Sequence, residues 1–204
     1  MPSGGVDEDK RATLRRFAAL GAASPLAGLI DKAAATDSNA PDAIAGYVTA
    51  TPGVHFSKLR DDLKLGTGET QHHLRRLLEA DVIESRRDGD YRRFFPADQF
   101  SPFEQIALGY LRRETPRGMI IELLRDPTAT GGDLATSLDV SRPTISKYAG
   151  ELADAGLLSR EDGYVLEDPE KLLVLLVRYA DSFDADTAAF AAEAASLISV
   201  DTSR

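Results

Sequence analysis

Four arginines close together form the densest group of charged side chains in this chain. They are Arg86, Arg87, Arg92 and Arg93. They flank an Asp88-Gly89 pair, which predicts a tight turn between two β-strands and would gather the guanidinium groups at one hairpin tip. Guanidinium groups bind phosphate oxygens through paired hydrogen bonds. Because only two Asp accompany the four Arg between Ser85 and Phe95, the pattern predicts phosphate contact, and pairing with neighbouring carboxylates is the alternative.

The elements that must position this hairpin occur twice. The sequence from Pro41 matches the sequence from Pro116, 75 residues later, without a gap to the end of a predicted helix, so that Leu77 corresponds to Leu152. Apolar residues at three- and four-residue intervals predict three helices in each copy, followed by a hairpin with Gly at its tip. That order is the layout of a winged helix-turn-helix, a module that usually docks a helix into DNA.

The chain is therefore predicted to be mainly α-helical with short β-hairpin wings. We expect an N-terminal helical extension over residues 1–40, a first winged helix-turn-helix over 41–98, a connecting helix over 99–115, a second winged helix-turn-helix over 116–168, and C-terminal helices over 169–204. The connecting helix begins with Ser101-Pro102-Phe103-Glu104, which combines an N-cap, a first-turn Pro and a capping box.

The N-terminal extension carries weaker patterns. Residues 1–7 are expected to be disordered, one amphipathic helix is predicted over about 7–20 and another from Pro25, and residues 36–41 form a predicted linker. Arg15-Arg16 before an apolar run superficially resembles a twin-arginine export signal, but Phe17 follows the pair without the usual intervening residue. We favour the amphipathic helix, with Leu14 and Phe17 on its apolar side.

In a winged helix-turn-helix the third helix contacts the major groove through its N-terminal residues. In the first copy the candidates are Thr67, Thr70, Gln71, His72 and, further on, Arg75. A Gln can bond adenine bidentately and an Arg can do the same to guanine. The Gly66-Thr67-Gly68 segment is predicted to leave an unobstructed helix start, where a phosphate meets free backbone amides. An ordinary solvated helix face is the alternative.

The second copy differs in its wing. Ser141 is its predicted N-cap, and the outward-facing candidates on the helix are Arg142, Thr144, Ser146 and Lys147. The hairpin over residues 159–168 carries one Arg against four acids, which a phosphate backbone would repel. Either the helix alone meets DNA or this copy packs on protein, and we expect DNA contact by the helix.

Two segments resemble a known family. The stretches GTGETQHHLRRLLEADVIESRRDGDYRRFFP and VSRPTISKYAGELADAGLL are similar to the winged-helix cores of ArsR- and MarR-type regulators. The tandem arrangement and the acidic composition resemble haloarchaeal transcription regulators with two winged helices. The resemblance covers about residues 42–168 and implies DNA contact by the candidate helix residues of both copies and by the four arginines. Asp81 stands where Gly is common in these families, and Asp tolerates a left-handed helix end.

Composition narrows the function classes. The 204 residues include no Cys, which excludes disulfides, thiolate zinc ligands and thiol catalysis. A net charge of −9 taken alone argues against nucleic acid. However, the chain has 18 Arg and only 6 Lys, and Lys-poor, Asp-rich usage is typical of salt-adapted archaea. The position of local positive charge is then more informative than the total.

No pattern predicts a cofactor, a metal site or an enzyme. His72 and His73 are adjacent on a predicted helix and point about 100° apart, so they cannot chelate one ion. His55 is expected to pack or to bond locally, and Asp61-Asp62 to lie on a solvated helix face. The segment 130–133 indicates a helix start, and no phosphate-binding Gly loop or nucleophile elbow is present.

The terminal helices are assigned to dimerisation. Asp168-Pro169 predicts an N-cap and a first-turn Pro. The following KLLVLLVRYADSF is apolar on nearly every side between Leu172 and Val177, which predicts a helix buried all round. An Ala-rich helix is predicted over about 186–199.

These observations favour a cytoplasmic, sequence-specific transcription regulator that binds double-stranded DNA as a homodimer on a pseudo-palindromic site. The alternative is a tandem winged-helix adaptor between proteins, in a chromosome-organising or basal transcription complex. The target genes, the direction of regulation and any small-molecule ligand are left open.

Overall fold

The computed structural model describes the backbone of residues 4–22 and 40–201, with side chains over 10–19 and 40–194. The chain divides into two compact units, the first ending at Phe100 and the second beginning at Ser101. Both units are helical with small antiparallel hairpins. In the described part of the chain, no helix is long and apolar enough to cross a membrane.

The first unit is a winged helix-turn-helix preceded by a long helix. Its elements are α1 (Gly4–Ala22), α2 (Ala40–Ala50), β1 (Val54–His55), α3 (Phe56–Asp62), α4 (Thr67–Glu79), β2 (Ile83–Asp88) and β3 (Tyr91–Pro96). The three strands form an antiparallel sheet in the order β1-β3-β2. Apolar faces of α2, α3 and α4 meet this sheet around Ile44, Leu59 and Leu74, which are at most 3% exposed.

The helix α1 packs on this core as its apolar side predicts. Leu14 is buried, and the ring of Phe17 lies edge-on to Tyr47 with centroids 4.9 Å apart. The expected disorder of residues 1–7 is wrong for its last four residues, because α1 already begins at Gly4. Similarly, the last two residues of the predicted linker belong to α2. The helix predicted from Pro25 and the rest of the linker lie outside the described residues.

The second unit repeats the fold and extends it. Its elements are α5 (Pro102–Leu111), α6 (Glu114–Arg125), α7 (Gly131–Ser137), α8 (Arg142–Asp154), β4 (Leu158–Ser159), β5 (Val165–Leu166), α9 (Pro169–Arg178), a 3-10 turn (Ala180–Ser182) and α10 (Ala185–Asp201). The predicted capping box of α5 is confirmed, since the Glu104 carboxylate accepts from the Ser101 amide at 2.8 Å. α5 packs against α6 and α9.

The 75-residue repeat is confirmed at backbone level. The bounds of α7 and α8 follow those of α3 and α4 at this spacing. The turn after α3 is closed by Leu65 N–H donating to the Arg60 carbonyl at 3.0 Å, and its counterpart by Val140 N–H donating to Ala135 at 3.1 Å. Asp81 has the predicted left-handed backbone, with φ of 52°. One supersecondary unit is therefore used twice.

The C-terminal helices depart from the prediction in one respect. Leu172, Leu175 and Leu176 of α9 are buried, but Val174 is 60% exposed. The expectation of burial on every side is thus wrong for this face of α9 in the single chain. The helix also stops at Arg178, five residues before the predicted end.

A 3-10 turn after α9 leads the chain into α10. Arg112 donates to the carbonyl oxygen of Ser182 at 2.7 Å. Arg117 pairs with Asp184, and both guanidinium groups lie against the ring of Phe183. These contacts fasten the start of α10 to α5 and α6.

Candidate nucleic-acid interface

The helix α4 presents the candidate recognition surface of the first unit. Gly66 is its N-cap, and the Glu69 carboxylate accepts from the Gly66 amide at 3.3 Å. Nothing lies within 4 Å of the position that a Cβ on Gly68 would take. The start of α4 is therefore open at Gly68, whereas the Gly66 amide is not free as predicted. The Glu69 carboxylate already occupies part of it, and Lys10 of α1 pairs with that carboxylate at 3.4 Å.

Four of the five side chains proposed for α4 point into solvent. They are Thr67, Gln71, His72 and Arg75. Arg75 lies 3.9 Å from Glu79 one turn further along, and both side chains are about two-thirds exposed. Such an exposed pair is weak, so the guanidinium of Arg75 remains available to another partner.

Thr70 corrects the predicted contact set. Its side chain is fully buried, and its hydroxyl donates to the carbonyl of Gly66 at 2.8 Å. A residue with no exposed surface cannot contact a base edge, so Thr70 stabilises the first turn of α4 instead. The repeat itself indicates that position 70 is buried, because Thr70 aligns with Ile145, which is 1% exposed in the core of the second unit.

The first wing is a hairpin of β2 and β3 with a two-residue loop. Asp88 pairs with Tyr91, so the loop residues are Gly89 and Asp90, one position later than predicted. Gly89 has φ of 58°, a conformation that glycine adopts without steric cost. The two-residue hairpin itself is confirmed.

Strand register divides the four arginines between two faces. Arg87 is paired with Arg92, and Arg86 with Arg93. Directly paired residues project from the same face of a sheet. Arg87 and Arg92 are both exposed, whereas Arg86 is half-buried and Arg93 only 3% exposed. The guanidinium groups therefore do not gather in one cluster as expected.

Arg93 is the second correction to the contact set. Its guanidinium donates to the carbonyl of Gly53 at 2.8 Å and pairs with the carboxylate of Asp88. The same group lies 5.7 Å from the centre of the Tyr91 ring. These contacts tie the wing to the turn before β1. Arg93 is thus a structural residue, and the alternative of internal pairing is correct for this one arginine.

The other three arginines keep their candidate role. Arg92 donates to the Ser85 hydroxyl at 2.8 Å, and Arg87 to the Gly89 carbonyl at 3.3 Å. Among the described residues, none of the three has a carboxylate partner. Arg86, Arg87 and Arg92 thus carry uncompensated positive charge along the wing.

His55 bonds locally, as predicted. Its Nδ1 accepts from the Lys58 amide at 3.3 Å and caps α3. Its ring lies 5.0 Å from that of Tyr91. Burial, followed by the positive charges of Arg93 and Lys58, lowers the pKa of His55. A neutral imidazole is what the cap requires, because a protonated nitrogen cannot accept.

Asp62 is also more constrained than the predicted solvated face. Its carboxylate accepts from the Tyr47 hydroxyl and from Lys58, whose Nζ lies 2.7 Å away. Asp61 is exposed and pairs with its neighbour Arg60. Asp62 therefore joins α2 to α3, and Asp61 and Asp62 do not form a free carboxylate dyad.

No metal centre is formed by the described residues, where no group of three or more His, Asp or Glu could hold an ion. The rings of His72 and His73 are 5.3 Å apart and steeply inclined. Burial and the neighbouring His72 lower the pKa of His73.

In the second unit α8 begins as predicted. The Ser141 hydroxyl accepts from the Thr144 amide at 3.3 Å. Arg142, Ser146 and Lys147 are exposed. Thr144 is half-buried, and its hydroxyl lies 2.8 Å from that of Ser141. The sequence predicts Thr144 on the outward face of α8, but its hydroxyl is engaged with the N-cap Ser141.

The second wing is shorter than the first. Its strands pair over only two residues each, Leu158 with Leu166 and Ser159 with Val165. Asp168 caps α9, which confirms the predicted N-cap, and it also pairs with Lys171. The remaining charges of the hairpin are Arg160 against three acids, Glu161, Asp162 and Glu167.

Sequence reasoning missed a cleft beside α8. It is lined by Thr130, Gly131, Gly132, Arg142, Ile145, Ser146 and Tyr164. The sequence indicates only a helix start at residues 130–133. The two adjacent glycines there are the one local feature that coincides with the cleft.

These features define the class of the protein: two tandem winged helix-turn-helix domains with added terminal helices. Residues 38–108 match a family model described as an N-terminal HTH domain, and residues 112–159 match one described as winged helix-turn-helix DNA-binding. Both matches are to helix-turn-helix domains, and the description of the second names DNA binding.

A curated relative is similar over part of the chain. It is an uncharacterised HTH-type transcriptional regulator of Methanocaldococcus jannaschii, 29% identical over 121 residues. The match covers 59% of this chain but only 30% of the relative. No solved structure matches the chain.

Proposed function

We propose that this chain is a sequence-specific, DNA-binding transcription regulator acting in the cytoplasm. The observation that carries the proposal is the pairing of an exposed helix start with an arginine-bearing wing in the first unit. Thr67, Gln71 and His72 project from α4, and the wing adds Arg87 and Arg92. Base contacts and backbone contacts are the two components that sequence-specific binding needs.

In this proposal α4 enters the major groove. Gln71 has the side chain to bond adenine bidentately, and Arg75 can do the same to guanine one turn further along. Thr67 can donate to a phosphate or a base near the helix start. The wing follows the adjacent backbone, where Arg86, Arg87 and Arg92 meet phosphate oxygens.

The regulator is further proposed to act as a homodimer. The apolar α9 has Val174 60% exposed, and covering it by a second copy would remove that surface from water. A twofold axis would place two copies of α4 in successive major grooves and would require a pseudo-palindromic site.

The adaptor alternative is not favoured. A protein-binding wing has no reason to carry three arginines without carboxylate partners among the described residues. The second family match is also to DNA-binding domains.

Binding to genomic DNA fragments in high KCl tests the proposal. The double variant Arg87→Ala/Arg92→Ala is compared with Arg125→Ala/Arg160→Ala, which removes the same charge from exposed positions of the second unit away from α9. We expect wild type and control to select discrete fragments and the wing variant to lose them. If wild type, shown to be folded, selects no fragment, the regulator proposal is wrong and the adaptor becomes the working hypothesis.

A further inference from the structure

We propose that Lys10 of the extension helix α1 is a positioning residue for DNA binding by the first unit. It neutralises the Glu69 carboxylate at the start of α4, where the DNA backbone would otherwise meet a negative charge. This role rests on the proposed function and deepens it, because it brings α1, which precedes the winged helix-turn-helix, into the DNA-binding machinery.

The carboxylate is present because the first unit caps its recognition helix differently from the second. In the 75-residue repeat Gly66 corresponds to Ser141, and Glu69 corresponds to Thr144. Ser141 caps α8 with its own hydroxyl, which accepts from the Thr144 amide at 3.3 Å. Gly66 has no side-chain cap, and its amide donates instead to Oε2 of Glu69 at 3.3 Å. The start of α4 therefore carries a carboxylate, whereas α8 is capped by a neutral hydroxyl.

A negative charge at this position opposes DNA. The Glu69 side chain is 34% exposed, so its carboxylate reaches the surface beside the open position at Gly68. A phosphate that approached there would be repelled by the like charge. The same carboxylate favours the helix itself, because negative charge stabilises a helix N-terminus. Helix stability and DNA affinity thus make opposite demands on Glu69.

Lys10 resolves this conflict. Its Nζ lies 3.4 Å from Oε2 of Glu69, and its side chain is 30% exposed. The packing of α1 holds Lys10 there, because Leu14, one turn later, is buried and the Phe17 ring lies edge-on to Tyr47 of α2. The ammonium is thus placed by the fold and does not depend on the ion pair, which contributes little to stability when partly exposed.

The neighbouring charges leave this task to Lys10. The three acids at positions 7–9 precede it in α1 and add negative charge to the same end of the helix. On α4, His73 lies one turn after Glu69, but burial lowers its pKa and keeps its imidazole neutral at neutral pH. Arg11 is exposed, and these two described side chains, Arg11 and Glu69, form no ion pair. Lys10 is the cation that pairs with this carboxylate.

A double-mutant cycle tests this role on the DNA fragment that wild type selects. Lys10→Met keeps the aliphatic stem and removes the charge. Glu69→Gln removes the opposing charge and keeps a capping side chain, since Gln serves in a capping box as Glu does. Arg16→Met is the matched control, because it removes one exposed charge of α1 at a position about 200° round the helix from the buried Leu14.

We expect Lys10→Met to weaken DNA binding about fivefold, within the range of coupling between contacting residues. Glu69→Gln should bind at least as tightly as wild type, and adding Lys10→Met to it should weaken binding less than about twofold. Arg16→Met should stay within about twofold in both backgrounds. The coupling should shrink as KCl is raised, because salt screens partly exposed charges. Thermal melting verifies that each variant is folded.

Three results would overturn the role. An unchanged affinity of Lys10→Met would show that the charge of Glu69 needs no partner. An equal loss in both backgrounds would show that Lys10 acts directly on DNA or on the packing of α1, and not through Glu69. Equal losses for Lys10→Met and Arg16→Met would assign the effect to the overall charge of α1. If wild type binds no fragment, the proposed function fails and this role with it, whereas binding by wild type without coupling removes the role alone.

Discussion

At the residue scale, side chains of the same type have different roles because their surroundings differ. Arg87 and Arg93 lie on adjacent strands of one hairpin. Arg87 projects into water, whereas Arg93 is 3% exposed and paired with Asp88. An exposed guanidinium is available to a ligand, while a buried one without its partner would be strongly destabilising. Arginine composition alone therefore overstates the charge that the wing offers to DNA.

Replacing Arg93 should affect stability and not the number of phosphate contacts. Arg93→Met removes the partner of Asp88 and the donor to Gly53, and we expect a loss of about 3 kcal/mol in the free energy of unfolding. Arg87→Ala should cost no more than about 0.5 kcal/mol but lower the salt slope of DNA binding by about one. Urea unfolding and binding at several KCl concentrations measure the two effects. An unchanged urea midpoint for Arg93→Met would contradict the structural role.

His55 should make the first unit sensitive to mild acid. Its pKa is lowered in the folded protein, mainly by burial and by Arg93, so the unfolded chain takes up its proton first. The stabilisation is full above about pH 6.5 and is lost as the pH falls through the folded pKa. The urea midpoint should drop between pH 7.5 and 5.5, and less so for His55→Asn, which keeps a neutral capping side chain. An equal drop in both proteins would assign the effect elsewhere.

At the element scale, the two recognition helices share a frame and differ in surface. α4 and α8 have the same length and the same buried positions, so Thr70 and Ile145 take one place in the fold. A threonine is accommodated there because its hydroxyl donates to the Gly66 carbonyl. Helical periodicity decides which positions face the core. At position 70 the polar side chain of Thr70 suggests an exposed residue, although the periodicity places it in the core.

The two faces of α4 should respond differently to substitution. Thr70→Val keeps the volume of the side chain and leaves the Gly66 carbonyl bonded to the Thr70 amide. We expect it to cost less than about 1.5 kcal/mol of stability and to leave DNA affinity unchanged. Gln71→Ala should leave stability unchanged and lower affinity for the selected fragment by about 1–3 kcal/mol. A loss of affinity in Thr70→Val with α4 intact would restore Thr70 to the contact set.

At the scale of the whole molecule, an acidic net charge coexists with a basic first wing. The net charge is −9, yet three arginines of the first wing have no carboxylate partner among the described residues. In a salt-rich solution counterion release drives binding weakly, so base contacts and DNA shape would carry more of the affinity.

The proposed homodimer can be tested by its mass in solution. Light scattering should give twice the 22.0 kDa of the chain for wild type. Val174→Glu places a charge on the exposed apolar side of α9, and we expect it to give the monomer with an unchanged melting temperature. Val165→Glu, at another exposed apolar residue, is the matched control and should remain dimeric. A dimeric Val174→Glu would move the interface away from this face of α9.

The sequence by itself determined the repeated fold. Apolar spacing, the Ser101 and Asp168 caps and the hairpin turn are local patterns, and the helices and wings follow from them within a residue or two. Local chemistry suffices there because caps and periodicity act over one or two turns. The exposed part of the candidate site, such as Gln71 and Arg142, follows from the same periodicity.

Only the tertiary structure decided which polar residues are available to a partner. Arg93 is buried because β3 pairs with β1, which begins just after Gly53. This pairing brings the Gly53 carbonyl, 40 residues earlier in the sequence, within hydrogen-bonding distance of the guanidinium. The cleft beside α8 likewise joins three segments distant in sequence, the starts of α7 and α8 and the second wing. Burial and pairing across such distances depend on how elements pack, and no local pattern encodes them.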